Sequence, residues 1–148
     1  MFLTYRDIAE LFPKRRGIAN EDLSFYHVTC SPDFPQPKGL YISTSLSAEG
    51  LKTALENGAI AAVWDESADV PKFTPNHFPL FFSNNVLKGL LDMMKLYEQK
   101  TKNMGSSSGN WTNFHVNSAV IPDEFEYREE LRMLFAKLDE DGRLGGKE

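Results

Sequence analysis

The sequence predicts a three-layer α/β fold, a mostly parallel sheet of about four to five strands with flanking helices. Three observations predict it. Runs rich in β-branched and aromatic residues alternate with segments whose apolar residues recur at helical spacing. The run at residues 60–64 (IAAVW) is continuously apolar, as a strand is when helices cover both of its faces. The element order, helix, strand, strand, helix, strand, strand, helix, suits a mostly parallel sheet.

Residues 4–12 read as a short helix. Thr4 caps it, Asp7 is its acidic first-turn residue, Leu3 staples onto Ile8, and Pro13 ends it. The basic run Lys14, Arg15, Arg16 then reads as a solvated turn. Residues 23–30 (LSFYHVTC) form the first expected strand. The stretch 31–38 is irregular, because Pro32, Pro35 and Pro37 lack ladder donors. Residues 39–43 are the second strand. Ser45 or Ser47 caps the next helix, whose buried side is Ala48, Leu51, Ala54 and Leu55. Asn57-Gly58 stops it.

After the apolar strand and a proline-bearing loop, residues 79–83 (PLFFS) are the fourth strand. Asn84 or Asn85 caps a long helix with Leu87, Leu90, Leu91, Met94 and Tyr97 on its apolar face. The expected organisation is thus a domain over residues 1–101 and a Gly/Ser linker or loop at 102–110. An appended strand and amphipathic helix follow at 111–148, packed on the same domain and ending in a mobile acidic tail. The helix is expected from Pro122, with Asp123, Glu124 and Glu126 in its first turn and Leu131, Leu134, Phe135 and Leu138 as its stripe.

Composition narrows the function. The chain has 148 residues, the size of one domain, and its 11 Phe, 5 Tyr and 2 Trp are ample for a core. A net charge of −5 argues against a general nucleic-acid binder. It leaves room for a small anion at a helix N-terminus. The single cysteine, Cys30, allows no intramolecular disulfide and no multi-thiolate zinc site, and reads as a small buried hydrophobe. The start lacks the pattern of a secretory signal, and no apolar run is long enough to cross a bilayer. The cytoplasm is the expected compartment.

Catalytic and metal motifs are missing. There is no G-x-x-x-x-G-K-[ST], no G-x-G-x-x-G and no G-x-S-x-G. His27, His77 and His115 are not paired at helical metal-ligand spacing. His27 and Cys30 fall on opposite faces of a strand. The tail Asp139-Glu140-Asp141-Gly142 echoes a calcium loop, but Lys137 stands where its first ligand belongs. No catalytic residue, metal or cofactor is expected.

Several segments resemble the N-terminal domain of the Mur ligases, which add amino acids or dipeptides to UDP-MurNAc-peptides. Residues 3–11 look like that domain's opening helix. Pro37-Lys-Gly-Leu-Tyr-Ile42 resembles its P-G-D-L-F-V, and Ala54-Leu-Glu-Asn-Gly-Ala-Ile-Ala-Ala-Val63 its A-x-x-x-G-A-x-A-x-V. Residues 86–97 look like the helix that leaves the domain. The resemblance implies a Mur ligase N-terminal-like fold and a uridine-nucleotide-sugar ligand. Its pocket would be lined by Thr29 and Ser31 after the first strand and by Ser43, Thr44, Ser45 and Ser47 before the second helix.

The departures from the family are specific. Cys30-Ser31-Pro32 replaces Asp-Ser-Arg, and the family's Asp-Gly-His is missing. No T-G-T-N-G-K-T phosphate loop follows, and without it amide ligation lacks its phosphoryl-transfer machinery. Three readings follow. The chain is a non-catalytic protein-interaction or regulatory module, with a protein partner or homodimer contacted through residues 111–138. Alternatively it binds or senses a UDP-sugar or peptidoglycan precursor. The third reading is an enzyme with an unrecognised site.

Overall fold

A computed structural model describes residues 2–45, 47–102, 111–116 and 121–140, with residues 137–140 described by their backbone alone. Its strands are β1 (Leu3–Thr4), β2 (Arg15–Arg16), β3 (Ser24–Phe25), β4 (His27–Thr29), β5 (Gly39–Ile42), β6 (Ala59–Asp65), β7 (Leu80–Ser83) and β8 (Asn113–His115). Its helices are α1 (Tyr5–Leu11), α2 (Ala48–Glu56), α3 (Val86–Thr101) and α4 (Arg128–Glu140). The fold is α/β, with a mostly parallel mixed sheet and flanking helices. Its strand order is β2-β7-β6-β5-β4-β8. Among the described strands of this sheet only β2 runs antiparallel to its neighbour, and β1 and β3 form a separate antiparallel pair.

Local chemistry explains the helix ends. Thr4 and Asp7 close a capping box on α1, Ser47 accepts from the Gly50 amide, and Asn85 accepts from the Lys88 amide. Gly58 takes φ +110° just after α2, a conformation that a Cβ disfavours.

Alternation along the strands divides two cores. Val28, Leu40, Ile42, Ala61, Val63, Phe81 and Phe114 point to one face, where α1, α3 and α4 pack through Ile8, Leu90, Met94, Leu131 and Leu134. Tyr41, Ala59, Ala62, Trp64 and Leu80 point to the other, where α2 packs through Leu51 and Ala54. Ion pairs Lys100–Asp7 and Lys95–Glu130 tie α3 to α1 and to α4. Thr112 joins distant segments. Its hydroxyl accepts from the Leu3 amide and donates to the Phe25 carbonyl, and its amide donates to the Tyr97 hydroxyl.

Three expectations need correction. Arg15 and Arg16 are not a free turn: they pair with Phe81 and Leu80, giving the main sheet six strands among the described residues. The single strand expected at 23–30 is two, β3 in a small sheet with β1 and β4 in the main one. The last helix begins at Arg128, not Pro122. Residues 122–127 form turns leading into the helix, with the Phe125 and Arg128 amides bonded three residues back. Phe125 and Tyr127 pack on the core from those turns, so the first-turn acids are Glu129 and Glu130. Of the expected linker only Lys102 is described. The Leu138 side chain and the acidic end beyond Glu140 lie outside the described residues, as does the calcium-like loop. No described helix is long and apolar enough to cross a membrane.

Candidate functional site

Parallel strands bring β5, β6 and β7 to one carboxyl edge, where α2 leaves after β5 and α3 leaves after β7. Both helix N-termini therefore open on the same edge of the sheet, each with amides lacking intrahelical partners. Ligands of open parallel sheets bind at such edges.

Between them lies a cleft of about 270 Å³, lined by Ser43, Thr44, Asp65, Asn84, Asn85 and Leu87, and reached by Pro122 from the C-terminal segment. Ser43 is fully buried, and its Oγ has no hydrogen-bond partner among the described residues. Its amide donates to the Val63 carbonyl, which fixes it at the end of β5. Tyr41 is also fully buried, and its Oη lacks a bond of acceptable geometry. That oxygen sits at the first turn of α2, where a methyl group added to Gly50 would lie 2.8 Å from it and 3.7 Å from Ser45 Oγ. The missing side chain of Gly50 thus lets the Tyr41 hydroxyl pack against the first turn of α2. Burial raises the Tyr41 pKa, and the nearby hydroxyls of Ser45 and Ser43 oppose the rise. The phenol stays a neutral donor at neutral pH.

The electrostatics of the cleft are uneven. Asp65 accepts from both the amide and the hydroxyl of Ser67, at 2.8 and 2.6 Å, and these bonds hold its carboxylate below the usual range. An anion is repelled from the Asp65 side, and the first turn of α2 offers free amides but also carries Glu49. A neighbouring cleft of about 400 Å³ beside α1 and α3 contains Lys14 and Lys88. Both are paired, with Glu66 at 3.4 Å and Asp92 at 2.9 Å.

The six sequence-derived site residues divide into two groups. Ser43 and Thr44 line the cleft, Ser45 lies near Gly50 and is exposed, and Ser47 caps α2. Thr29 and Ser31 lie at the end of β4. The Thr29 hydroxyl donates to the His115 carbonyl at 3.0 Å and accepts from the Ser31 amide at 3.0 Å. The Ser31 side chain is exposed.

Side-chain hydrogen bonds tie down the loop after β4. Buried Gln36 donates to the Ser31 and Phe34 carbonyls, and Asn57 donates to the Pro32 carbonyl. Sequence reasoning missed Tyr41, Gln36 and Asn57 as site residues. The one available signal was a tyrosine at an inward strand position beside a serine-rich turn. It also left His27 and His115 apart. They meet across β4 and β8, Nδ1 to Nε2 at 3.3 Å. Cys30 is buried in the first core, and desolvation pushes its thiol up to about 12. Among the described residues no group of three or more His, Cys, Asp or Glu is placed to hold a metal.

A scan of protein-family models finds no match to this chain, and a search of curated proteins finds none either. Its function has to be argued from the site.

Proposed function

We propose that this chain is a non-catalytic binding domain of the Mur ligase N-terminal type, whose ligand carries a phosphate or diphosphate, as a UDP-sugar does. The observation that carries the reading is the pair of neighbouring, fully buried hydroxyls, Tyr41 Oη and Ser43 Oγ, neither with a hydrogen bond of good geometry, beside the N-terminus of α2. A buried hydroxyl without a partner is costly, and an oxyanion placed there would supply one. The amides of the first turn and Ser45 add donors on the same side.

The family reading has a further support. Lys38 takes φ 54°, a left-handed conformation that favours glycine, and it stands where the family's P-G-D-L-F-V carries its Gly. Binding rather than catalysis follows from the missing phosphate loop, since ligation needs an activated carboxylate.

A thermal-shift titration with UDP, UDP-GlcNAc, a UDP-MurNAc-peptide and pyrophosphate tests this. Ligand at about 100 times its Kd adds about 2.7 kcal/mol. For a chain of this size that raises Tm by roughly 5–12 °C. Tyr41→Phe and Ser43→Ala should each remove most of the rise. No rise with any of the four at millimolar concentration refutes the reading.

One observation favours the second reading, a protein-interaction or regulatory module working through residues 111–138. Met133 on α4 is 68 % exposed. The Leu131 and Leu134 stripe is already buried within the chain, so a partner or second copy would use the opposite side of that helix. Concentration-dependent mass by light scattering, abolished by Met133→Glu, would favour this reading.

A further inference from the structure

Parallel pairing of β4 with β8 sets Thr29 opposite His115 and His27 opposite Asn113. These side chains leave the sheet on the face that α2 covers over β5, β6 and β7. Over β4 and β8 the loop residue Phe34 stands instead. Its ring lies 4.1 Å from the His115 ring and edge-on to His27 at 6.2 Å. Both imidazoles are half-buried. Two paired strands hold them, and the Thr29 hydroxyl bond to the His115 carbonyl pins the pairing at that residue.

The separation of 3.3 Å between His27 Nδ1 and His115 Nε2 fits a hydrogen bond with one shared proton. It also fits a metal bite. Two zinc–imidazole bonds of about 2.0–2.1 Å at a tetrahedral angle place their nitrogens roughly 3.3–3.4 Å apart. A cation can therefore replace the shared proton while the two nitrogens keep their spacing. We propose that His27 and His115 form a two-histidine site for a borderline divalent cation of the Zn²⁺, Ni²⁺ or Cu²⁺ class. Imidazole pairs select these ions over Mg²⁺ and Ca²⁺, which take oxygen ligands.

The metal takes each ring nitrogen in its deprotonated form, so binding displaces the shared proton. Among the described residues no third His, Cys, Asp or Glu joins the pair. A two-histidine site binds its ion less tightly than a closed four-ligand structural zinc, so a chelator should remove it.

The test uses the full, untagged chain labelled with ¹⁵N, titrated with ZnCl₂ in the absence of nucleotide, and reads the imidazole nitrogens. The chain has three histidines, and the third, His77, lies exposed in the loop before β7. The ring nitrogens of His27 and His115 should shift together and saturate at one ion per chain. His77 should stay put, and EDTA should reverse the change. His27→Ala and His115→Gln should each weaken binding at least about tenfold, and His77→Ala should leave it unchanged. No shift at millimolar Zn²⁺, a shift dominated by His77, or binding that survives both substitutions would overturn the proposal. Should a substitution loosen the β8 edge, the wild-type spectra decide alone. Omitting nucleotide keeps this outcome separate from that of the phosphate reading.

Discussion

Tyr41 and Cys30 lie on opposite faces of the sheet, and each has its polar atom taken out of water. An unsatisfied buried hydroxyl costs about 1–3 kcal/mol. Tyr41→Phe should therefore leave the unliganded chain as stable as before or about 1 kcal/mol more stable. Urea unfolding of the free chain reads this, and the same variant should lose its ligand response. Cys30 gives a pH dependence with a definite sign. Its thiol is raised from 9.0 to about 12 in the folded chain. Below pH 9 both states keep the proton. Above it the unfolded chain releases the proton and the folded chain does not. This contribution to stability is thus complete below pH 9 and is lost as pH rises toward 12, by about 1.4 kcal/mol per unit. Denaturant midpoints between pH 8 and 10.5 should fall in the wild type, and Cys30→Ala should flatten the fall. The same burial should leave the native thiol inert to Ellman's reagent at pH 8 until the chain unfolds.

At the scale of elements, α1 offers the most direct measurement. Its capping box satisfies two backbone amides through Thr4 and Asp7. Thr4→Ala should lower stability by about 1 kcal/mol, measured by chemical denaturation. The Thr4 cap and the Asn57-Gly58 stop were legible in the sequence, and the caps of α2 and α3 were legible to within two candidates each, of which Ser47 and Asn85 are the ones used. Each is set by residues within four positions of one another. What could not be read depended on distant partners. Arg15 and Arg16 become a strand because the β7 edge offers them a ladder 66 residues away at Phe81. Residues 122–127 stay out of α4 because Phe125 and Tyr127 pack on the core, with Lys88 standing 5.2 Å from the Tyr127 ring centre. His27 and His115 are separated by 88 residues, so helical spacing rules could not pair them. For the candidate site, the serine-rich turn before α2 could be read, because helix caps and hydroxyls are local signals. The approach of the Tyr41 hydroxyl to Gly50 could not, since it exists only once α2 folds over the strand.

At the scale of the whole molecule, the C-terminal segment is part of the main core. Phe114, Val116, Ile121, Leu131 and Leu134 belong to the same buried cluster as Leu3, Phe25 and Leu90. Leu131→Ala should cost about 2–4 kcal/mol, as at a true core position, and should unfold the sheet and α3 in one transition. Calorimetry or paired circular-dichroism and fluorescence melts check this, and two separate transitions would mean that α4 is an independent appendage. The main sheet also joins strands far apart in the chain, which predicts slow folding compared with a helical bundle.

Thr112 gives that topology a consequence for biosynthesis. The Leu3 amide finds its acceptor 109 residues further along the chain. At translation rates of about 5–20 residues per second, that interval is roughly 5–20 s. Throughout it the amino-terminal strands emerge from the ribosome without the threonine that clasps them. The nascent chain is thus expected to stay protease-sensitive, and a client for holding chaperones, until synthesis has carried Thr112 clear of the exit tunnel.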